Sequence, residues 1–271
     1  MALVDVNGVQ LNIEDTEAPA GRPDAATVVF GHGLLFSGRM FDAQVDRLAP
    51  RYRCVTIDWR GQGRSPAARS GYDMDTLADD AAAVIAQLGL GRVHYVGLSM
   101  GGFVGMRLAA RRPELIRSLC LLDTSAGPED PDKVSRYRLL AKIYRLFGLG
   151  PVAAQVKPLM FGPHYLASER SEPQIEAWLN EVKAVKRSGM KQAIHGVTDR
   201  EPILPELNLI VAPTLVVVGA DDIATPVAKA EVVAGAIAGA RLEIVPDAGH
   251  SSTIEQPTAL SDLIEDFINE H

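Results

Sequence analysis

The stretch Gly97-Leu98-Ser99-Met100-Gly101 sets a serine between two glycines, each two positions away. An apolar run, Val93 to Val96, precedes it, and a run of small residues, Gly102 to Arg111, follows. This is the order strand, sharp turn, helix, in which a serine hydroxyl stands clear of a sheet. Bulky side chains at 97 and 101 would clash across such a turn. A helix starting there also turns free N–H groups and a positive dipole end toward developing negative charge. The chemistry this permits is attack by a hydroxyl on a carbonyl carbon. A serine hydroxyl is a weak nucleophile at neutral pH, so it needs a base, and the base needs a group that orients it.

Six histidines could serve: His32, His94, His164, His195, His250 and His271. His250 stands in Pro246-Asp247-Ala248-Gly249-His250-Ser251, just after a strand-like run. In a parallel sheet, loops that follow strands share the edge that would carry the serine turn. His94 falls inside the strand, His271 is terminal, and His164 and His195 fall in a helical stretch. His250 is therefore the candidate base. Gly219-Ala220-Asp221-Asp222-Ile223-Ala224-Thr225-Pro226 follows another strand-like run and supplies Asp222 as the candidate acid, giving the order Ser…Asp…His. Asp221 and Asp123 are its competitors. Two backbone N–H groups would bind the oxyanion, that of Met100 and that of Leu34 in Gly31-His32-Gly33-Leu34-Leu35. His32 is read as pinning that loop by hydrogen bonding.

The elements that must position these groups alternate. Val4 to Ile13 reads as a hairpin around Asn7-Gly8. Strands are expected at Thr27–Phe30, Arg53–Asp58, Val93–Val96, Ser118–Asp123, Thr214–Val218 and Arg241–Val245. Helices are expected at Met40–Leu48, from Asp75 with Leu77, Ala81, Val84, Ile85 and Leu88 on one stripe, after Ser99, at Val227–Ile237 and at Thr258–Ile268. The alternation predicts an α/β fold with a mostly parallel sheet and helices on both faces. From 126 to 205 it breaks: helical stretches without a convincing strand read as an inserted lid, leaving 1–125 and 206–271 as the core.

The chain has 271 residues, 47% of them hydrophobic, and a net charge of −7, which disfavours nucleic acid as a partner. No apolar run approaches a membrane span of about 18 residues. The first residues carry no basic n-region or long apolar core, so a cytoplasmic protein is expected. Cys54 and Cys120 sit in apolar runs and read as buried hydrophobes. No His/Cys spacing suggests a metal, and no cofactor is implied. Oligomeric state is not legible.

His32-Gly33, Asp58 with Arg60 to Ser65, Gly97 to Gly101, Gly219 with Asp222 and Pro226, and Gly249-His250 together resemble the α/β-hydrolase superfamily over nearly the whole chain. The resemblance implies an eight-stranded sheet with a helical cap. It is nearest to small esterases, 3-oxoadipate enol-lactonases and cofactor-free haloperoxidase-like perhydrolases. Ser99 stands where dehalogenases and epoxide hydrolases of this fold carry aspartate, which argues against their chemistry. The expected activity is cleavage of a small carboxylic ester or lactone through an acyl-enzyme. Perhydrolysis on the same triad is one alternative, and a small-molecule receptor that keeps the triad is another. The glycine-rich Arg60–Ser65 loop is read as a surface turn and not a phosphate cradle.

Residues 128–200 carry twelve Lys/Arg against eight Asp/Glu within an acidic chain. Solvated helix faces account for this. The sharper expectation is that Arg136 or Arg138 meets an anionic substrate. Tyr137, Tyr144, Phe147, Met160, Phe161 and Trp178 could line an apolar pocket, with Trp178 the candidate substrate contact.

Overall fold

The computed structural model describes residues 2–271, so Met1 lies outside the described residues. Eight strands form one sheet: β1 (Ala2–Val6), β2 (Val9–Asp15), β3 (Thr27–Gly31), β4 (Arg53–Ile57), β5 (Val93–Leu98), β6 (Ile116–Leu122), β7 (Thr214–Gly219) and β8 (Arg241–Val245). Their order is β1-β2-β4-β3-β5-β6-β7-β8. β2 pairs antiparallel with both β1 and β4, and the remaining neighbours are parallel. Asn7 and Gly8 turn the opening hairpin with φ of 48° and 76°. Two successive positive φ values match the right-handed twist of the flanking strands, which is why Asn-Gly suits this turn.

The helices are α1 (Asp42–Leu48), α2 (Met74–Gln87), α3 (Met100–Arg111), α4 (Pro131–Phe147), α5 (Ala153–Met160), α6 (Pro163–Leu166), α7 (Ser171–Ala184), α8 (Arg187–Thr198), α9 (Val227–Ala236), α10 (Ser252–Glu255) and α11 (Pro257–Asn269). The expected helix from Met40 begins as a tight 3₁₀ turn, Gly38–Phe41, before α1. Ser37 caps that turn by accepting the Arg39 N–H, and Phe41 (φ −105°, ψ 10°) breaks the helical path. In α2, Asp73 accepts the Thr76 N–H and so fixes the start that the apolar stripe alone left vague.

Both faces of the sheet are covered, so the central strands β3, β5 and β7 are buried at every residue. Alternation along β3 sends Val29 into a core shared with α2, α3 and α9, and Val28 and Phe30 into a second core shared with α1 and α11. The second core continues into the helices between β6 and β7, through Tyr144, Trp178 and Met190. Helices α4 to α8 all fall in that connection, and α4 packs on α8. Among the described residues, no helix is long and apolar enough to cross a membrane.

The parallel register has one consequence for function. The ends of β3, β5, β6, β7 and β8 all open onto the same edge, and the loops that follow carry Leu34, Ser99, Asp123, Asp222 and His250.

Candidate active site

Ser99 occupies the single residue between β5 and α3, with φ 51° and ψ −110°. This conformation is strained for a residue with a Cβ and persists because the surroundings over-determine it. The Ser99 N–H donates to the Leu122 carbonyl at 2.9 Å, and its own carbonyl accepts the Thr124 hydroxyl at 2.8 Å. A Cβ at Gly97 would stand 2.4 Å from the Gly101 carbonyl oxygen, and one at Gly101 would stand 1.8 Å from that of Gly31. The two glycines are therefore steric requirements of the turn.

Ser99 Oγ lies 2.9 Å from His250 Nε2, and His250 Nδ1 lies 2.8 Å from Asp222 Oδ2. All three side chains are buried. The carboxylate accepts at Nδ1, so Nδ1 carries the proton and Nε2 offers its lone pair to the Ser99 hydroxyl. Asp222 is itself fixed: Oδ1 accepts the N–H groups of Ala224 (2.8 Å) and Thr225 (3.0 Å), and Oδ2 accepts the Thr225 hydroxyl (2.7 Å).

The competing aspartates are engaged elsewhere. Asp221 pairs with His164 at 2.7 Å. Asp123 accepts the Gly219 N–H at 2.8 Å and the Ser252 hydroxyl, and makes no hydrogen bond to His250. Burial, reinforced by the negative charge of Asp222, pushes the Asp123 carboxyl well above the usual range. Burial would also raise Asp222, but the His250 charge and the hydrogen bonds from His250 and Thr225 prevail and hold it below the usual range. For His250, burial works toward a lower pKa. The charge and hydrogen bond of Asp222, helped by Asp123 and Glu255, outweigh it and raise the imidazole above 6.5.

The loop after β3 lies against the serine, since a Cβ at Gly33 would be 3.5 Å from that of Ser99. Its N–H groups are used selectively. Gly33 donates to Met40 Sδ at 3.3 Å and Leu35 to Gln62 Oε1 at 3.0 Å. The Leu34 N–H between them has no acceptor among the described residues. Met100 is the first residue of α3, so its N–H has no intrahelical acceptor either. Two unclaimed donors thus sit beside Ser99, one on the residue that follows it and one on the loop packed against it. His32 holds this loop in place: Nε2 accepts the Trp59 N–H (3.0 Å), Nδ1 donates to the Gly33 carbonyl (2.7 Å), and the His32 carbonyl accepts the Trp59 indole (3.0 Å). Asp58 ties the glycine-rich turn to the 3₁₀ turn before α1, accepting the N–H groups of Arg64 and Gly38, both at 2.8 Å.

Above Ser99 lies a cavity of about 120 Å3, walled largely by apolar side chains from α3, α4, α5 and α8. Three substrate contacts expected from sequence do not line it: Arg136, Arg138 and Trp178. In α4 the cavity wall is made by Tyr137, Leu140, Ala141 and Tyr144, the i, i+3, i+4, i+7 face. Arg136 and Arg138 flank that face by about 100° of helical rotation each, so both point to solvent, and Arg138 pairs with Asp199 at 2.8 Å. Trp178 is buried between Phe36 and Phe161, and its indole N–H donates to the Leu35 carbonyl at 3.0 Å. It supports the loop after β3 from behind.

Sequence reasoning passed over three residues. Thr225 steadies Asp222, and its signal was present in the short Asp-x-x-Thr spacing. Gln62 joins the Leu35 N–H to the Met100 sulfur, which spacing could not reveal. Glu255 is a buried carboxylate that accepts the N–H groups of Gly249 (2.8 Å) and Ser251 (3.0 Å), on either side of His250, and of Gly162 (3.0 Å) before α6. Among the described residues, no cluster of three or more His, Cys, Asp or Glu side chains could hold a metal.

A family model for the alpha/beta hydrolase fold matches residues 26–257, and the chain belongs to that family. It is a hydrolase of this fold. Its relatives include 3-oxoadipate enol-lactonase 2 of Acinetobacter baylyi, 27% identical over 92% of this chain and 90% of that one. Among solved structures, the enol-lactonase of Burkholderia xenovorans LB400 is 28% identical with a TM-score of 0.90, covering 99% of this chain and 100% of that one. A thermophilic esterase from Thermogutta terrifontis, solved with malate bound, is 28% identical with a TM-score of 0.88, covering 99% and 96%.

Proposed function

We propose that this protein cleaves a carboxylic ester or lactone of a small molecule through an acyl-enzyme on Ser99. The observation that carries the reading is the unbroken relay from Ser99 Oγ to His250 Nε2 (2.9 Å) and from His250 Nδ1 to Asp222 (2.8 Å). The two unclaimed N–H groups beside it and the relatives named enol-lactonase and esterase support the same carbonyl chemistry.

In this reading, Ser99 Oγ attacks the carbonyl carbon while His250 Nε2 takes its proton. The negative charge on the carbonyl oxygen is met by the N–H groups of Leu34 and Met100. Each such donor contributes about 3 kcal/mol to the transition state. Collapse expels the alkoxide, which recovers its proton from His250, and in a lactone that alkoxide stays tethered to the acyl chain. Water then enters, His250 deprotonates it, and the second tetrahedral species collapses to the acid and free Ser99. Asp222 keeps the imidazole in the Nδ1–H tautomer and stabilises the imidazolium. Residues 1–125 and 206–271 act as the catalytic core in this scheme, and 126–205 as a cap that shapes the acyl site.

Ser99→Ala tests the assignment. Turnover of short p-nitrophenyl esters is expected to vanish, and a fluorophosphonate is expected to label wild type once per chain and to leave the variant unlabelled. Retained turnover in a purified variant would overturn the assignment.

A further inference from the structure

We propose that the cavity over Ser99 takes an uncharged, apolar acyl group, and that Glu129 is the residue that turns away acyl chains ending in a carboxylate. This rests on the reading of Ser99 as an acylated nucleophile.

Charge is distributed unevenly around the cavity. No lysine or arginine lines it among the described residues. Apart from His250 and two tyrosines, the one ionisable side chain in its wall is Glu129. One of those tyrosines, Tyr144, donates to the Val182 carbonyl at 3.2 Å.

The obvious counter-charge faces the other way. Glu129 Oε2 pairs with Arg200 Nη1 at 3.0 Å, and Arg200 is only 2% exposed. Arg200 also donates to the carbonyls of Gly127 (3.1 Å) and Val197 (2.8 Å) and to the Ser125 hydroxyl (3.3 Å). Four of its five N–H donors are therefore spent inside the protein. Its guanidinium also stacks 4.3 Å from the Phe103 ring, which stands between it and the acyl site as part of the wall. Lys133 and Lys229 are both drawn to Asp130, at 3.1 Å, and neither lines the cavity. Glu129 Oε1 accepts the Asp130 N–H at 3.0 Å, so the ion pair sets Glu129 in the cavity wall while its cationic end is spent on backbone carbonyls.

A carboxylate carried in on an acyl chain would lose its water in an apolar space and find no cation free to pair with it, since Arg200 is held by Glu129 and by carbonyls behind the wall, and Glu129 is a like charge. A neutral chain meets none of this. The volume sets its size. About 120 Å3 is close to the roughly 150 Å3 of an apolar cavity that accommodates benzene, so an acyl chain of about six carbons fills it.

The test compares two esters of equal length, p-nitrophenyl hexanoate and mono-p-nitrophenyl adipate, above pH 7. Wild type is expected to favour the neutral ester by 100-fold or more in kcat/KM. Glu129→Gln is expected to narrow that ratio at least tenfold, by raising kcat/KM for the adipate. Glu129→Asp, which keeps the charge, is expected to keep the preference. A wild-type ratio under tenfold overturns the proposal without any variant, and so does an unchanged ratio in a folded Glu129→Gln enzyme. If neither ester is turned over, the nucleophile reading has failed. The charge preference is then read separately, by calorimetric titration of hexanamide against adipic monoamide, where equal affinities overturn it.

Discussion

Replacing Asp222 by Asn changes one atom, yet its consequence can be worked out from the hydrogen bonds around it. Asp222 Oδ1 accepts two backbone N–H groups, from Ala224 and Thr225. An asparagine must keep its carbonyl oxygen there, because an amide NH2 would face two donors. The NH2 is thereby placed where Oδ2 now meets His250 Nδ1. Nδ1 must then accept, the ring proton moves to Nε2, and the base presents an N–H to Ser99 in place of a lone pair. The expected loss in kcat is on the order of 10⁴-fold, or about 5 kcal/mol, with the fold intact. The pH dependence moves as well. The acid limb of kcat/KM follows His250, which the Asp222 charge raises above 6.5 against the opposing effect of burial. Without that charge, the limb of any residual activity shifts to lower pH. Stability follows by linkage. Asp222, depressed in the folded state, stabilises fully above 3.8 and loses its contribution as pH falls through the folded value. His250, raised, stabilises fully below 6.5 and loses its contribution as pH rises through the folded value. The thermal gap between wild type and Asp222→Asn is therefore widest between pH 3.8 and 6.5. The assay is p-nitrophenyl ester hydrolysis against pH, with melting curves in parallel. A loss under tenfold with an unmoved acid limb would refute the reasoning.

Three further outcomes follow from packing. Glu255→Ala leaves the N–H groups of Gly162, Gly249 and Ser251 without their acceptor. At about 1–3 kcal/mol per unmet buried donor, the loss is at least about 3 kcal/mol where water does not replace the carboxylate. A fall in Tm on the order of 6 °C or more is expected, with kcat falling more than KM changes as the His250 loop drifts; a Tm within 2 °C of wild type, by roughly that same conversion, would contradict the clamp. Gly101→Ala drives a methyl group to 1.8 Å from the Gly31 carbonyl oxygen, and its product is expected to be unfolded or insoluble on expression. Gly235→Ala, in the exposed part of α9 with nothing within 4 Å, is expected to stabilise by about 0.5–1 kcal/mol in a denaturant titration.

Local chemistry was legible in the residues themselves. The serine turn depends on five consecutive positions, and the hairpin on Asn7-Gly8, because the steric demands that select these types act over a few bonds. Buried strands such as β3 and β5 announced themselves as apolar runs, and the alternation of strand and helix pointed to a parallel sheet covered on both sides. Even the order Ser…Asp…His was readable, since parallel strands deliver their following loops to one edge.

What no local pattern holds is which atoms meet across that edge. Asp221 and Asp222 are neighbours of the same type, and only the packed structure sends one to His164 and the other to His250. The helical segment between β6 and β7 shows the same limit more sharply. The cationic excess of residues 128–200 made Arg136 and Arg138 the expected substrate contacts, while packing turned Tyr137 and Leu140 inward and both arginines to solvent. Trp178 and Glu255 serve partners 143 and 93 positions away, the Leu35 carbonyl and the Gly162 N–H. Residue type fixes what a side chain can do. Which partner it finds is set by burial and chain closure over the whole molecule, and those arise only once the sheet and its covering helices are assembled.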